Sequence, residues 1–138
     1  MKNIIVVVII IIISSSLVET INLSDTSTIG YKKLHCYLRN KEYAFPIATL
    51  NIPSIAQIIS RQNSYRRGEL VANTATIEKM ELDGEIFDDE NLAMYCHDGG
   101  FGIGFNTGET IELELNPSIN YGVRFFLDKE DAIKYRCF

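Results

Sequence analysis

The stretch YGVRFFLDKEDAIKY, residues Tyr121–Tyr135, holds the clearest local pattern in the chain. Val123, Phe125 and Leu127 alternate with other side chains, and a period of two predicts a strand. Asp128 follows, and aspartate is a favourable residue at a helix N-cap. Acidic residues in the next turn and basic residues near the end match the charges of the helix ends. The stretch therefore predicts a strand that runs directly into a capped C-terminal helix.

The start of this helix predicts further contacts. Asp131 stands three residues after Asp128, as in a capping box, and Leu127 and Ala132 have the spacing of a hydrophobic staple. Phe126 adds an apolar side chain on the second face of the strand. We therefore expect the sheet to be covered on both sides at this point.

The rest of the chain is dominated by short strand patterns separated by turns. Pro46 is expected to split one of these strands, and Asp83-Gly84 predicts a two-residue hairpin turn. Asp88 or Asp89 is expected to cap a single helical turn. The predicted fold class is α+β, with mostly antiparallel short strands and one C-terminal helix after an N-terminal hydrophobic segment. The predicted strands are Tyr31–Leu38, Tyr43–Asn51, Thr74–Leu82 and Thr110–Leu115.

Three further local predictions follow from residue chemistry. In the third strand, strict alternation places Ala75, Ile77 and Lys79 on one face. Gly122 predicts a close backbone approach or a bulge where the last strand begins. Ser54–Ser60 is predicted to form a short helix.

The N-terminal segment, residues 1–20, has the pattern of a secretory signal. Lys2 supplies a positive start, Ile4–Ile13 is an unbroken apolar run, and the serines at 14–16 are small residues where cleavage requires them. The apolar run is shorter than the roughly 20 residues that a spanning helix needs. A cleaved signal peptide is favoured, while an uncleaved signal anchor and a buried apolar strand remain alternatives.

These features predict three regions and a location. Residues 1–20 form the signal peptide or anchor, 21–29 a polar linker, and 30–138 one small α+β domain. The protein is expected to be secreted or membrane-anchored, with membrane contact only through residues 1–20 if they are not cleaved. Its 138 residues agree with one domain.

The charge of the chain argues against nucleic acid as a partner. The sequence has 13 basic and 18 acidic residues, for a net charge of −5. Binding to nucleic acid needs clustered positive charge. We therefore expect no nucleic-acid binding and an unknown protein partner instead.

Three cysteines, Cys36, Cys96 and Cys137, would enter an oxidising compartment if the chain is secreted. Because three is an odd number, at most one internal bridge can form. Cys36 and Cys96 lie in apolar strand patterns, which favours two buried, unbridged side chains. The alternative is one disulfide that involves Cys137, and the pairing remains open.

The pairs His35-Cys36 and Cys96-His97 contain metal-ligand residue types. Neighbouring residues on a strand point to opposite faces, so both members of a pair can hardly reach one metal ion. The spacing also differs from that of zinc sites. With Asp98, the same residues would allow a Cys nucleophile and a His base, which is an equally unspecific set. We therefore predict no metal site and no cofactor.

Glu112 and Glu114 form an E-x-E pattern that places two carboxylates on one face of a strand. ADP-ribosyltransferases use such a pair near the C-terminus, and YGVRFF is similar to a strand of that family. An ADP-ribosyltransferase-like or degenerate NAD-binding enzyme is therefore the alternative function, with Glu112 and Glu114 as its candidate catalytic residues. The simpler interpretation is two solvated glutamates.

A second resemblance spans residues 29–136. GYKK (30–33), IATLNIP (47–53), Arg66-Arg67 before ATIEKMEL (75–82), GETIE (108–112) and YGVRFFLDKEDAIKY occur in this order. The chain resembles an uncharacterised domain of mimivirus-like giant viruses and some bacteriophages, which often accompanies pentapeptide repeats. That domain ends in a GIHFF(L/I)T-x-EEA-x-x-Y signature, in which Arg124 here replaces the histidine. A cysteine that usually precedes the signature is also missing here.

This resemblance implies no known activity, because the family has none established. We therefore predict a non-enzymatic interaction or structural module, although whether it is an enzyme stays open. Basic residues in or near the shared motifs are the candidate binding residues. They are Lys32, Arg66, Arg67 and Arg124.

Overall fold

The computed structural model describes residues 7–13, 16–22, 26–61, 68–99, 103–116 and 121–135. The elements are β1 (Val7–Ile13), β2 (Ser16–Asn22), β3 (Thr28–Lys33), β4 (His35–Leu38), β5 (Tyr43–Ala44), β6 (Ile47–Ile52), β7 (Ile58–Arg61), β8 (Glu69–Ala72), β9 (Thr74–Leu82), β10 (Glu85–Ile86), α1 (Asp89–Leu92), β11 (Ala93–His97), β12 (Thr110–Glu112), β13 (Val123–Phe126) and α2 (Lys129–Lys134).

These strands form two antiparallel sheets. The larger sheet has the order β1-β2-β7-β8-β13-β3-β6-β9-β10, and β12 also pairs with β9. The smaller sheet has the order β11-β4-β5. The prediction of mostly antiparallel strands with a C-terminal helix is confirmed, and α1 adds one short helix that is capped by Asp88 as predicted.

The main core includes side chains from both sheets. From the small sheet it takes Cys36, Ala44 and Cys96, and from the large sheet residues such as Leu50 and Phe125. Phe126 points into a second cluster with Ile47 and Ala132 of α2. The large sheet is therefore covered by the small sheet on one side and by α2 on the other, as the Phe125-Phe126 pair predicts.

The N-cap of α2 is formed as predicted. The side chain of Asp128 accepts a hydrogen bond from the backbone N–H of Glu130 at 3.0 Å. Ala132 is fully buried, but Leu127 is 47% exposed and lies outside the cluster that holds Ala132. Ala132 therefore packs against Ile47 and Phe126 of the sheet, and the contact between Leu127 and Ala132 stays a prediction.

Three local backbone predictions are confirmed, and they concern one turn, one close approach and one break between strands. Asp83 and Gly84 have φ angles of 54° and 83° and join β9 to β10. Such angles are those of the two-residue hairpin turn with which Asp-Gly is associated. At Gly122 a Cβ atom would lie 2.5 Å from Cγ1 of Val71, so the predicted close approach is present. Pro46 lies in the break between β5 and β6, again as predicted.

The predicted helix at Ser54–Ser60 is wrong. Ser54 lies in a turn, and β7 begins at Ile58. Ile58 and Ile59 are both buried, and they pair with β8 in the large sheet. Tertiary pairing that buries two β-branched side chains outweighs the weak capping signal of the isolated segment.

The predicted face of Lys79 is also wrong. Leu50 pairs with Ile77, but Thr49 pairs with Lys79, so β9 carries one extra residue at Glu78. A bulge of this kind shifts the alternation by one position. Met80 is therefore buried on the core side with Ile77, whereas Lys79 is exposed.

The N-terminal residues add a hairpin to the edge of the large sheet. β1 pairs with β2, and β2 pairs with β7. The assignment of residues 1–20 as a signal peptide or anchor stays a prediction. Neither helix in the described part of the chain has the length and apolar character to cross a membrane.

Candidate binding face

The small sheet has one covered face and one open face. Cys36 lies directly opposite Cys96 in the pairing of β4 with β11, and both point into the core. The two are joined by a disulfide. The prediction of two unbridged cysteines is therefore wrong, and the proposed partner, Cys137, lies outside the described residues.

The open face of the same sheet carries a group of rings that we call the aromatic face. Residues next to the inward-facing Cys36, Ala44 and Cys96 point to the opposite side, because neighbouring residues in a strand alternate between faces. All of these outward positions hold an aromatic or imidazole ring. The aromatic face consists of His35, Tyr37, Tyr43, Phe45, Tyr95 and His97.

These rings form two rows across the strands. In one row the ring centres of Tyr95 and Tyr37 are 5.9 Å apart and those of Tyr37 and Tyr43 5.3 Å apart. In the second row His35 lies 4.9 Å from both His97 and Phe45. The planes of neighbouring rings within the rows are tilted by 32° to 50°. Neighbouring rings at these distances contact each other, so the face is a continuous but uneven aromatic surface.

The rings of the aromatic face are open to solvent at its edges. Tyr43 is 60% exposed, Tyr95 54% and Phe45 40%. Single exposed apolar residues are normal on a protein surface, whereas a contiguous group indicates an interaction site. Tyrosine and histidine also have polar tips, so the face offers hydrogen-bond donors beside its apolar surfaces.

The two histidines of this face are in contact and differ in environment. Nδ1 of His97 accepts a hydrogen bond from the backbone N–H of Gly99 at 2.9 Å, which leaves Nε2 to carry the proton. Burial, and after it the neighbouring ring of His97, lowers the pKa of His35 from its ordinary value of 6.5. Burial therefore favours the neutral form of His35.

A cleft of about 670 Å³ adjoins the aromatic face at Tyr43 and Phe45. Carboxylates outnumber ammonium groups in its lining, so we call it the acidic cleft. One pair of these charges is joined, because Nζ of Lys129 donates to Glu81 at 2.7 Å. This hydrogen bond lowers the pKa of Glu81 and raises that of Lys129. The charged lining residues are Lys33, Glu81, Asp83, Lys129 and Glu130.

Two of the four basic residues predicted to bind a partner, Lys32 and Arg124, are described by the structure. Lys32 is buried, and its Nζ donates to the backbone oxygen of Arg124 at 2.9 Å and lies 5.6 Å from the ring centre of Phe105. The guanidinium of Arg124 faces Asp98 at 3.8 Å. The structure thus brings Lys32 and Arg124 together inside the fold, and Arg66 and Arg67 lie outside the described residues.

Glu112 and Glu114 are both exposed, and they line a shallow depression of about 390 Å³. Its other described lining residues are Ile55, Asn73, Thr74 and Leu113, and they include no arginine. Arg124 lies beside Asp98, with 3.8 Å between Nη2 and Oδ2.

Ligands for a metal ion are not gathered in the described residues. Within them, no group of three or more His, Cys, Asp or Glu side chains is placed to hold one. Cys36 and Cys96 are bonded to each other, and His35 and His97 point to the other side of the sheet. The four residues considered at the sequence level therefore do not converge.

The aromatic face could have been found in the sequence by a repeated triplet. His35-Cys36-Tyr37, Tyr43-Ala44-Phe45 and Tyr95-Cys96-His97 each place a small residue between two rings. In a strand this pattern predicts a ring-bearing face and a small-residue face. That the three triplets lie side by side depends on pairing between residues far apart in the chain.

Comparisons of the chain with protein-family models, curated proteins and solved structures found no match. The functional argument therefore begins from the geometry of the aromatic face and of the clefts around it.

Proposed function

We propose that the chain is a small non-enzymatic binding module that attaches to a protein partner through its aromatic face. The module is secreted, or anchored to a membrane by residues 1–20. The resemblance of residues 29–136 to the giant-virus and phage domain belongs to the same proposal and supplies no activity.

The contiguous exposed rings of the small sheet are the observation that carries this proposal. Tyr43 and Tyr95 are more than half exposed although each is large and aromatic. Tyrosine is enriched at the centres of protein interfaces, because it buries much surface with few rotatable bonds. The disulfide directly beneath the rings holds their strands in register, so little order has to be gained on binding.

The proposal is tested with ligands selected from a display library of peptides and small folded domains. Affinities are then measured for the wild type, for Tyr43→Ala/Tyr95→Ala and for Glu112→Gln/Glu114→Gln. We expect the aromatic variant to lose about tenfold or more in affinity and the glutamate variant to bind like the wild type. Ligands that bind the aromatic variant as tightly as the wild type, or a library that yields none, would overturn the proposal.

The enzymatic alternative has a separate test in a titration with NAD. Saturable binding that is lost in Glu112→Gln/Glu114→Gln would replace the binding-module proposal with the NAD-binding one. The depression at these glutamates is shallow and, in its described lining, lacks an arginine, so no geometric observation favours that alternative.

A further inference from the structure

We infer that the aromatic face, taken as the binding surface proposed above, receives a proline-rich segment in the polyproline II conformation, with a basic residue beside it in the acidic cleft. Four features support this ligand: the tilt of the rings, the length of their rows, the donors at the ring tips and the charge of the cleft.

The tilted rings of the aromatic face give an uneven apolar surface. Tyr37 and Tyr43 are tilted by 50°, and His35 and Tyr43 by 57°, so the rings do not form a flat platform. Surfaces lined by aromatic side chains are a feature of domains that hold proline-rich segments. The pyrrolidine rings of such a segment can pack against the exposed ring surfaces.

The length of the ring rows also agrees with this ligand. The row from Tyr95 through Tyr37 to Tyr43 has spacings of 5.9 and 5.3 Å. One turn of polyproline II contains three residues and rises roughly 9 Å. One turn of the ligand can therefore lie along the row.

Donors at the ring tips meet the needs of the same ligand. A polyproline II segment has no internal hydrogen bonds, so its carbonyl oxygens are free to accept. Tyrosine hydroxyls and the Nε2–H of His97 can donate to these oxygens. Described side chains of the aromatic face carry no carboxylate, so no acidic group there repels the carbonyl oxygens.

The charge of the acidic cleft favours a basic residue next to the proline run of the ligand. It begins at Tyr43 and Phe45, where the aromatic face ends. Asp83, Glu81 and Glu130 face two lysines there, so one negative charge is in excess. An arginine or lysine next to the proline run would reach this cleft and find a complementary charge.

The test uses a fluorescein-labelled polyproline peptide that ends in two arginines, titrated with the full folded domain and followed by anisotropy and by ¹H–¹⁵N NMR. Controls are a glycine-serine peptide with the same arginines, a polyproline peptide that ends in two glutamates, and cellohexaose. We expect saturable binding of the first peptide, with NMR shifts at the aromatic face. We also expect about tenfold weaker binding to the glutamate-ended peptide.

Variants separate the parts of this inference. Tyr43→Ala should lower the affinity for the proline-arginine peptide about tenfold. Tyr43→Phe keeps the aromatic ring and should therefore keep most of the affinity. Asp83→Asn/Glu130→Gln should weaken only the peptide that carries arginine. Both sites are exposed loop or helix positions, so the fold should be retained.

Two results would overturn the inference. One is the absence of NMR shifts at millimolar proline-arginine peptide, and the other is equal or tighter binding of the glycine-serine peptide or of cellohexaose. If proline peptides fail but library-selected ligands still lose affinity in Tyr43→Ala/Tyr95→Ala, this inference falls while the proposed function stands. If that variant changes nothing for any ligand, the proposed function falls as well.

Discussion

At the scale of single residues, Arg124 lies where its charge affects the stability of the fold. Its guanidinium lies beside the carboxylate of Asp98, which is completely buried. A buried charge is tolerated only when it is paired or hydrogen-bonded. Arg124 therefore acts inside the fold, as a partner of Asp98, and its side chain is mostly covered.

We predict that Arg124→Met destabilises the domain by about 3 kcal/mol, because the carboxylate of Asp98 loses its neighbouring cation in a buried place. Urea unfolding of the purified domain measures this change. The double variant Arg124→Met/Asp98→Asn should recover part of the loss, since it also removes the buried charge. Equal midpoints for the wild type and Arg124→Met would show that the ion pair is not important.

His35 gives the domain a pH dependence of known sign. Its pKa is lowered in the folded state, chiefly by burial, so the unfolded chain binds a proton at this site more readily than the folded chain does. The stability that neutral His35 contributes is therefore complete above its ordinary pKa of 6.5. It is lost as the pH falls from there toward the lower folded pKa.

The measurement compares melting temperatures between pH 7.5 and about pH 5 for the wild type and His35→Phe, which keeps a ring but cannot titrate. We expect the wild type to lose more stability on acidification than the variant does. Since the carboxylates titrate in both proteins, the difference isolates His35. Parallel curves for the two proteins would contradict the assignment.

At the scale of elements, local chemistry was sufficient where an element is specified by its own residues. The strand and cap at Val123–Asp128, the Asp83-Gly84 turn and the break at Pro46 all depend on neighbours in sequence. β7 was mistaken for a helix because its partner strand, and not its own residues, decides its conformation. The bulge at Glu78 likewise has no local signal.

The N-cap of α2 is the element-scale prediction. Asp128→Ala should destabilise the domain by about 1 kcal/mol, because the backbone N–H of Glu130 loses its acceptor. Thermal unfolding measures this loss. Asp128→Asn is the matched control and should stay close to the wild type, since asparagine caps equally well. A fully stable alanine variant would show that the cap does not contribute.

The sequence shows the ring-bearing triplets of the candidate site but not their assembly into one face. Its alternating rings are visible in the triplets at residues 35–37, 43–45 and 95–97. Their assembly requires β4 to pair with β11. Cys36 of β4 and Cys96 of β11 are 60 residues apart in the sequence. The side chains of Lys32 and Arg124 show the converse, because both are mostly covered. Nothing local indicates that a basic side chain will be covered by the other layer of the fold.

At the scale of the whole molecule, the N-terminal segment and the disulfide both bear on whether the chain is secreted. A secreted chain enters an oxidising environment in which a bridge can persist. We predict that mass spectrometry of the secreted product finds a mature N-terminus near residues 17–21. An intact Met1 in a membrane fraction would instead support the signal anchor.

The Cys36–Cys96 bridge gives the last prediction. It links residues 60 positions apart, and the loop-entropy relation assigns such a bridge about 4 kcal/mol, which is a large part of the stability of a small domain. Reduction, or Cys36→Ala/Cys96→Ala, should therefore lower the melting temperature strongly, whereas Cys137→Ala should not. Because the bridge lies directly under the rings, affinity for ligands of the aromatic face should fall with it. A non-reducing peptide map that places Cys137 in the bridge would contradict the pairing of Cys36 with Cys96. An unchanged melting temperature after reduction would show that the bridge does not stabilise the fold.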